Sequence, residues 1–169
     1  MPMNRFTRAL LLCAPLALSC GSLHGHCTLV GCEWQGALAE LDLQSDVDEL
    51  RGSAWRACLN GACSSFGLVE RASNTSLPHF DCQLSGPVNG HCFIHSPADA
   101  NHRVLDPNAW SARFELSSEV LRDGDRWQLE GRAPDGRVLA AIEKTVTYRR
   151  STPNGPDCAP TCVQAQLTP

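Results

Sequence analysis

Lysine is almost absent from this sequence: Lys144 stands alone beside thirteen arginines, and the 169 residues carry 18 acidic side chains against 14 basic ones. No basic cluster interrupts the chain, which excludes a nucleic-acid surface and a binding face for anionic lipid headgroups. Also missing is any apolar run of about 20 residues, the length a membrane-crossing helix needs. No stretch keeps a helical period over three turns, and no internal repeat stands out. The familiar catalytic patterns G-x-S-x-G, H-E-x-x-H, G-x-G-x-x-G and the Walker loop do not occur. Serine, histidine and aspartate are present without a spacing that groups them. No cofactor is expected, and an unrecognised hydrolase stays open because triads assemble in space.

What the chain does have begins at its start. MPMNRFTR places Arg5 and Arg8 ahead of ALLLCAPLAL, ten mostly apolar residues ending at Leu18, with no acidic residue before Glu33. A basic start, a short apolar run and small residues beyond it read as a secretory signal over residues 1–19. Removing those residues takes two arginines and no acids, which leaves 12 basic and 18 acidic residues and a net charge of −6. The remaining 150 residues suffice for one domain burying roughly 70% of its unfolded surface.

Ten cysteines are unusual for such a chain. Export makes disulfides the expected use. In CLNGAC the dipeptide Asn60-Gly61 predicts a type I′ hairpin turn, since both central residues need positive φ. Leu59 then faces Ala62, and Cys58 faces Cys63 at a spacing a disulfide accepts. Cys82 and Cys92 repeat the device if FDCQL and HCFIHS pair through SGPVNG, whereas a tight Asn89-Gly90 turn would set Cys92 opposite Pro87. Cys27 and Cys32 near the start and Cys158 and Cys162 near the end are expected to join the two ends in two bonds, with the connectivity open.

Period-two alternation sets the fold class. Ala37, Ala39, Leu41 and Leu43 share one face of ALAELDL. Trp110, Ala112, Phe114 and Leu116 share one face of AWSARFELS, as do Trp127, Leu129, Gly131 and Ala133 in DRWQLEGRA. One face of each belongs on a core and the other in water. Asp135-Gly136 predicts a second two-residue hairpin turn, pairing Ala133 with Val138 and Gly131 with Ala140. Lys144 falls in phase with the apolar face, which predicts a bulge near Glu143. SDVDE reads as an acidic loop. The expected architecture is an all-β antiparallel sandwich of seven or eight strands over 36–150, preceded by a tether over 20–35 and followed by a cysteine-stapled tail over 151–169.

Two resemblances extend this reading. LALSC, Leu16 to Cys20, resembles the lipobox of bacterial lipoproteins, in which a signal peptidase cuts before a cysteine that then carries acyl chains. Ala17-Leu18-Ser19 also fits ordinary small-x-small cleavage at the same bond. Acylation of Cys20, with Cys13 lost in the signal, leaves an even set of eight cysteines. RACLNGACSS, the DGD and DGRVL pattern and PNGPDCAPTC together resemble uncharacterised cysteine-rich bacterial lipoproteins with an immunoglobulin-like sandwich. That resemblance implies a fold and a membrane-anchored or periplasmic/extracellular envelope location, with no activity to carry over.

The expectation is therefore an exported, lipid-anchored, non-catalytic module serving a binding or structural role, its partner an envelope protein or glycan. The alternative is an envelope copper or zinc protein using His24, His26 and Cys27. His91 and His95 share a strand face about 13 Å apart, too far for one metal. Asp123, Asp125 and Glu130 have the composition of calcium ligands without the EF-hand spacing, and a solvated turn is the plainer reading. Asn74-Thr75-Ser76 fits a glycosylation acceptor and is read as loop composition. Trp55, Trp110 and Trp127 belong to the core.

Overall fold

A computed structural model describes residues 31–71, 79–98 and 104–168. The expected signal segment, Cys20, His24, His26, Cys27 and Asn74 lie outside the described residues. The elements run β1 (Gly36–Gln44), α1 (Val47–Arg51), β2 (Ala54–Leu59), β3 (Ala62–Gly67), β4 (Val69–Arg71), β5 (His79–Leu84), β6 (Asn89–His95), β7 (Ala109–Ser117), β8 (Arg126–Arg132), β9 (Val138–Thr145), β10 (Arg149–Ser151) and β11 (Cys162–Leu167). They build two sheets, one ordered β10-β11-β1-β7-β6-β5-β4 and the other β3-β2-β8-β9. The fold is all-β.

The alternating residues face inward as their period demands. Trp110, Ala112, Phe114 and Leu116 are all buried along β7, and Trp127, Leu129 and Gly131 along β8. The two inner faces share one core. Trp55 of β2 lies 4.9 Å from Phe114 of β7, ring centre to ring centre, and Phe80 meets Trp110 edge-on at 5.6 Å. Offset and edge-on aromatic pairs of this kind contribute beyond the area they bury. The three tryptophans at 55, 110 and 127 are at most 2% exposed.

The structure departs from the sequence reading at several points, beginning with the strand number: eleven among the described residues where seven or eight were expected. Asp46 and Glu49 form a capping box, Asp46 accepting from the Glu49 amide and Glu49 from the Asp46 amide, so the acidic stretch starts the short helix α1. At Asp135-Gly136, the Gly136 N–H donates to Ala133 and the Ala133 N–H to Arg137, which makes a type I turn with Pro134 in its second position. Gly136 has φ +88°, and the register slips between Gly131 and Arg132, which places Arg132 rather than Ala133 opposite Val138. The bulge therefore sits at the turn, and the strand runs straight past Glu143. Lys144 keeps its inward phase, at the sheet edge, where its ammonium reaches the Thr168 hydroxyl at 3.2 Å.

Two connections remain. Of the two β5–β6 turns the sequence left open, the wider SGPVNG loop is the one found: Leu84 pairs with Gly90 and Cys82 faces Cys92, as expected. Gly90 has φ +152°, and a Cβ there would lie 2.1 Å from the Glu115 carbonyl of β7, so only glycine permits the approach. The segment between 151 and 169 is more than a tail, because β11 runs parallel to β1, with Ala37 opposite Ala165, and forms part of the larger sheet. The Ala159-Pro160 peptide on the way to it is cis.

Candidate binding face

The outer face of the larger sheet collects the chemistry-bearing side chains. In register across β4, β5, β6, β7 and β1, one row reads Val69, Asp81, Phe93, Arg113, Glu40. The next reads Arg71, His79, His95, Ser111, Asp42. Phe93 is 44% exposed at the centre, an aromatic ring turned to solvent by strict alternation with the buried Cys92 and Ile94. Its ring centre lies 5.5 Å from that of His79 and 5.2 Å from that of His95.

Around this aromatic group most of the charges are paired. Arg71 meets Asp81 at 3.2 Å. Arg113 reaches Glu115 at 2.9 Å and Glu40 at 3.5 Å, and Glu115 also meets His91 Nε2 at 3.2 Å. Two shallow depressions flank the Phe93 ridge. One, about 920 Å³, is lined by Arg71, Asp81, Gln83, His91 and Phe93, and the other, about 330 Å³, by Glu40, Asp42, His95 and Arg113. The face is mixed in charge and open to solvent, with hydrogen-bonding groups on both sides of one apolar ring.

The acidic residues of RDGDRW are spent on structure. Asp125 is buried, so the solvated-turn reading fails there. Its Oδ1 accepts from the Asn60 side-chain amide at 2.8 Å, and its Oδ2 accepts from the Arg122 N–H at 2.8 Å and from the Tyr148 hydroxyl at 3.1 Å. Trp127 Nε1 donates to the same hydroxyl at 2.7 Å. Burial, the largest influence, pushes the Tyr148 phenol above its ordinary range, and the Asp125 charge acts in the same direction. Asp123 accepts from the Tyr148 N–H at 2.8 Å and from Arg150 at 2.9 Å, and those bonds hold its carboxyl below the usual value. Glu130 lies on the far sheet, between Arg56 at 3.1 Å and Arg132. The three carboxylates serve separate contacts and form no calcium site.

Disulfides join Cys58 to Cys63, Cys82 to Cys92 and Cys32 to Cys162. Cys58 and Cys63 are directly opposed across the Asn60-Gly61 turn, with Asn60 at φ +52° and Gly61 at +87°. Cys82 and Cys92 are directly opposed on the inner face of β5–β6, beneath the histidines and Phe93. Cys32–Cys162 ties the approach to β1 onto β11, and Cys158 is disulfide-bonded as well. Three such bonds belong to an oxidising compartment, the one an exported protein meets. None of them bridges the two sheets.

Among the described residues, no three His, Cys, Asp or Glu side chains converge as a metal site. No described helix is long and apolar enough to cross a membrane. The histidines are divided in role. His91 is engaged by Glu115, whereas His95 stands directly opposite His79, a residue the sequence reading passed over. The signal was present in the spacing: a pairing that aligns Cys82 with Cys92 also aligns residue 79 with residue 95. Compared with protein-family models, curated proteins and solved structures, the chain matches none.

Proposed function

We propose that the chain is an exported, lipid-anchored, non-catalytic module of the cell envelope that binds a partner through the outer face of its larger sheet, on an immunoglobulin-like sandwich. The observation that carries the reading is the exposed Phe93, set among hydrogen-bonding side chains on a hairpin clamped by Cys82–Cys92. A clamped hairpin presents its side chains at little further entropic cost, which favours binding. The partner is an envelope glycan or protein with a small apolar surface bordered by polar groups. Anchoring follows from the LALSC resemblance, and export from the disulfides.

Two measurements test it. The intact mass of the exported protein, alkylated without reduction, is expected to show acyl chains on Cys20 and no alkylated thiol. Lipid-free Cys20→Ala protein added to envelope fragments is expected to co-sediment, and Phe93→Ala with Arg113→Ala to abolish that. An unacylated Cys20 removes the anchor, and co-sedimentation unchanged by the double substitution removes the binding face.

A further inference from the structure

We propose that His79 and His95 form a two-ligand site for a divalent transition-metal ion, copper(II) most strongly. The two residues are directly opposed on neighbouring antiparallel strands, and both side chains stand on the outer face. Facing positions hold their Cβ atoms about 4.5–5.5 Å apart. One ion at about 2.0–2.1 Å from each imidazole nitrogen needs those nitrogens only about 3 Å apart, a gap two imidazoles close by leaning together.

The surroundings favour the arrangement. Among the described residues, neither the His79 nor the His95 side chain makes a hydrogen bond or ion pair, so their ring nitrogens are uncommitted, unlike those of His91. The Phe93 ring lies beside both imidazoles and nearly parallel to that of His95, at 27°, an apolar neighbour of the kind that controls solvent access to a metal site. The Cys82–Cys92 bond fixes the strand pair on which they sit. Arg71, the neighbour of His79 on the other side, has its charge compensated by Asp81. Imidazole suits copper, zinc and nickel, and copper(II) heads the affinity order for a given set of ligands. Two protein ligands leave positions for water or for donor groups of a bound partner. The site is independent of His24, His26 and Cys27 and of how the chain is anchored.

The test uses the full mature chain carrying His24→Gln, His26→Gln and His102→Gln, which leaves three of the six histidines. Copper(II), and separately zinc(II), is titrated calorimetrically, and copper coordination is read by electron paramagnetic resonance. The expected result is one bound copper with two nitrogen ligands. His79→Gln or His95→Gln is expected to lower the affinity by about tenfold or more and to remove one nitrogen, since even supporting groups of a metal site carry about 10–100-fold. His91→Gln is expected to change neither. The positions are on the outer face, so an unchanged circular dichroism spectrum confirms that each variant is folded. Absence of binding in the three-histidine chain, or binding insensitive to both substitutions, overturns the proposal.

Discussion

Asn60 and Asp125 are joined side chain to side chain at 2.8 Å across a sequence separation of 65. Asn60 sits at φ +52° in the tight turn between β2 and β3, and its Oδ1 accepts from the Arg126 N–H at 2.9 Å. One asparagine thus shapes its own turn and ties it to the β8 entry. Asp125→Ala leaves the Asn60 amide, the Tyr148 hydroxyl and the Arg122 N–H without their acceptor in a buried site. A cost of about 3 kcal/mol is expected, the upper range for bonds to a charged group. Urea unfolding checks it, with exposed Asp42→Ala expected to match the wild type. Equal midpoints for the two variants would refute a structural role for the network.

Tyr148 is the only tyrosine in the chain, so its ionisation can be followed directly by phenolate absorbance. Burial raises its folded pKa above the ordinary 10.0. The neutral phenol therefore stabilises the fold fully below the unfolded value, and that contribution is lost as pH rises towards the folded one. Phenolate absorbance is expected to appear together with unfolding rather than ahead of it. A smooth titration near the ordinary value in folded protein would contradict the buried position.

At acid pH the sign reverses. Glu143 is held below its ordinary 4.5 by bonds from Gln128 and Arg126, and Asp123 below its ordinary 3.8 by the Tyr148 N–H and Arg150. A depressed carboxylate contributes stability above its unfolded value and loses it as pH falls through the folded one. Urea midpoints are expected to decline as pH drops below the ordinary carboxylate values, and to decline less steeply in Glu143→Gln. Both groups are exposed, so added salt is expected to shrink the difference.

The disulfides differ in leverage. Cys32–Cys162 closes a separation of 130 residues and Cys58–Cys63 one of 5. Chain entropy assigns about 5 kcal/mol to the first and about 2 to the second. The first figure is a ceiling, because Cys158 keeps its own disulfide. Replacing both cysteines of each pair by alanine is expected to lower the urea midpoint more for Cys32/Cys162. The reverse order would show that the hairpin bond does more than close its loop.

Local pattern made much of this fold legible. Period two alone assigned the buried faces of β1, β7 and β8, because a one-residue slip would expose a whole apolar row. Asn60-Gly61 placed Cys58 opposite Cys63, because turn chemistry sets hairpin register. The misses share a cause: each depended on an atom far along the chain, or on a neighbour given too little weight. Pro134, with φ preset for the second position of a type I turn, moved the hairpin away from Asp135-Gly136. Gly90 looks like a turn glycine until β7 lies against it. The parallel β1–β11 pairing has no local signature. His79 opposite His95 follows from the Cys82–Cys92 alignment, and the sequence left that alignment open between two turns.

Gly131 shows how one missing side chain sets a core contact. A Cβ at this position would lie 2.6 Å from three ring carbons of Trp55. Trp55 cannot retreat, since Phe114 lies 4.9 Å away on one side and the Ser53 hydroxyl accepts its indole N–H at 2.8 Å. Gly131→Ala is therefore expected to cost about 1–3 kcal/mol through overpacking, although alanine suits a strand better than glycine. In the Trp55→Leu background the same substitution is expected to cost much less, because the ring that opposes it is gone. A double-mutant cycle in urea measures the coupling, expected at about 0.5–3 kcal/mol for residues in contact. Strict additivity of the two substitutions would show that the strain lies in the β8 backbone instead of against the tryptophan.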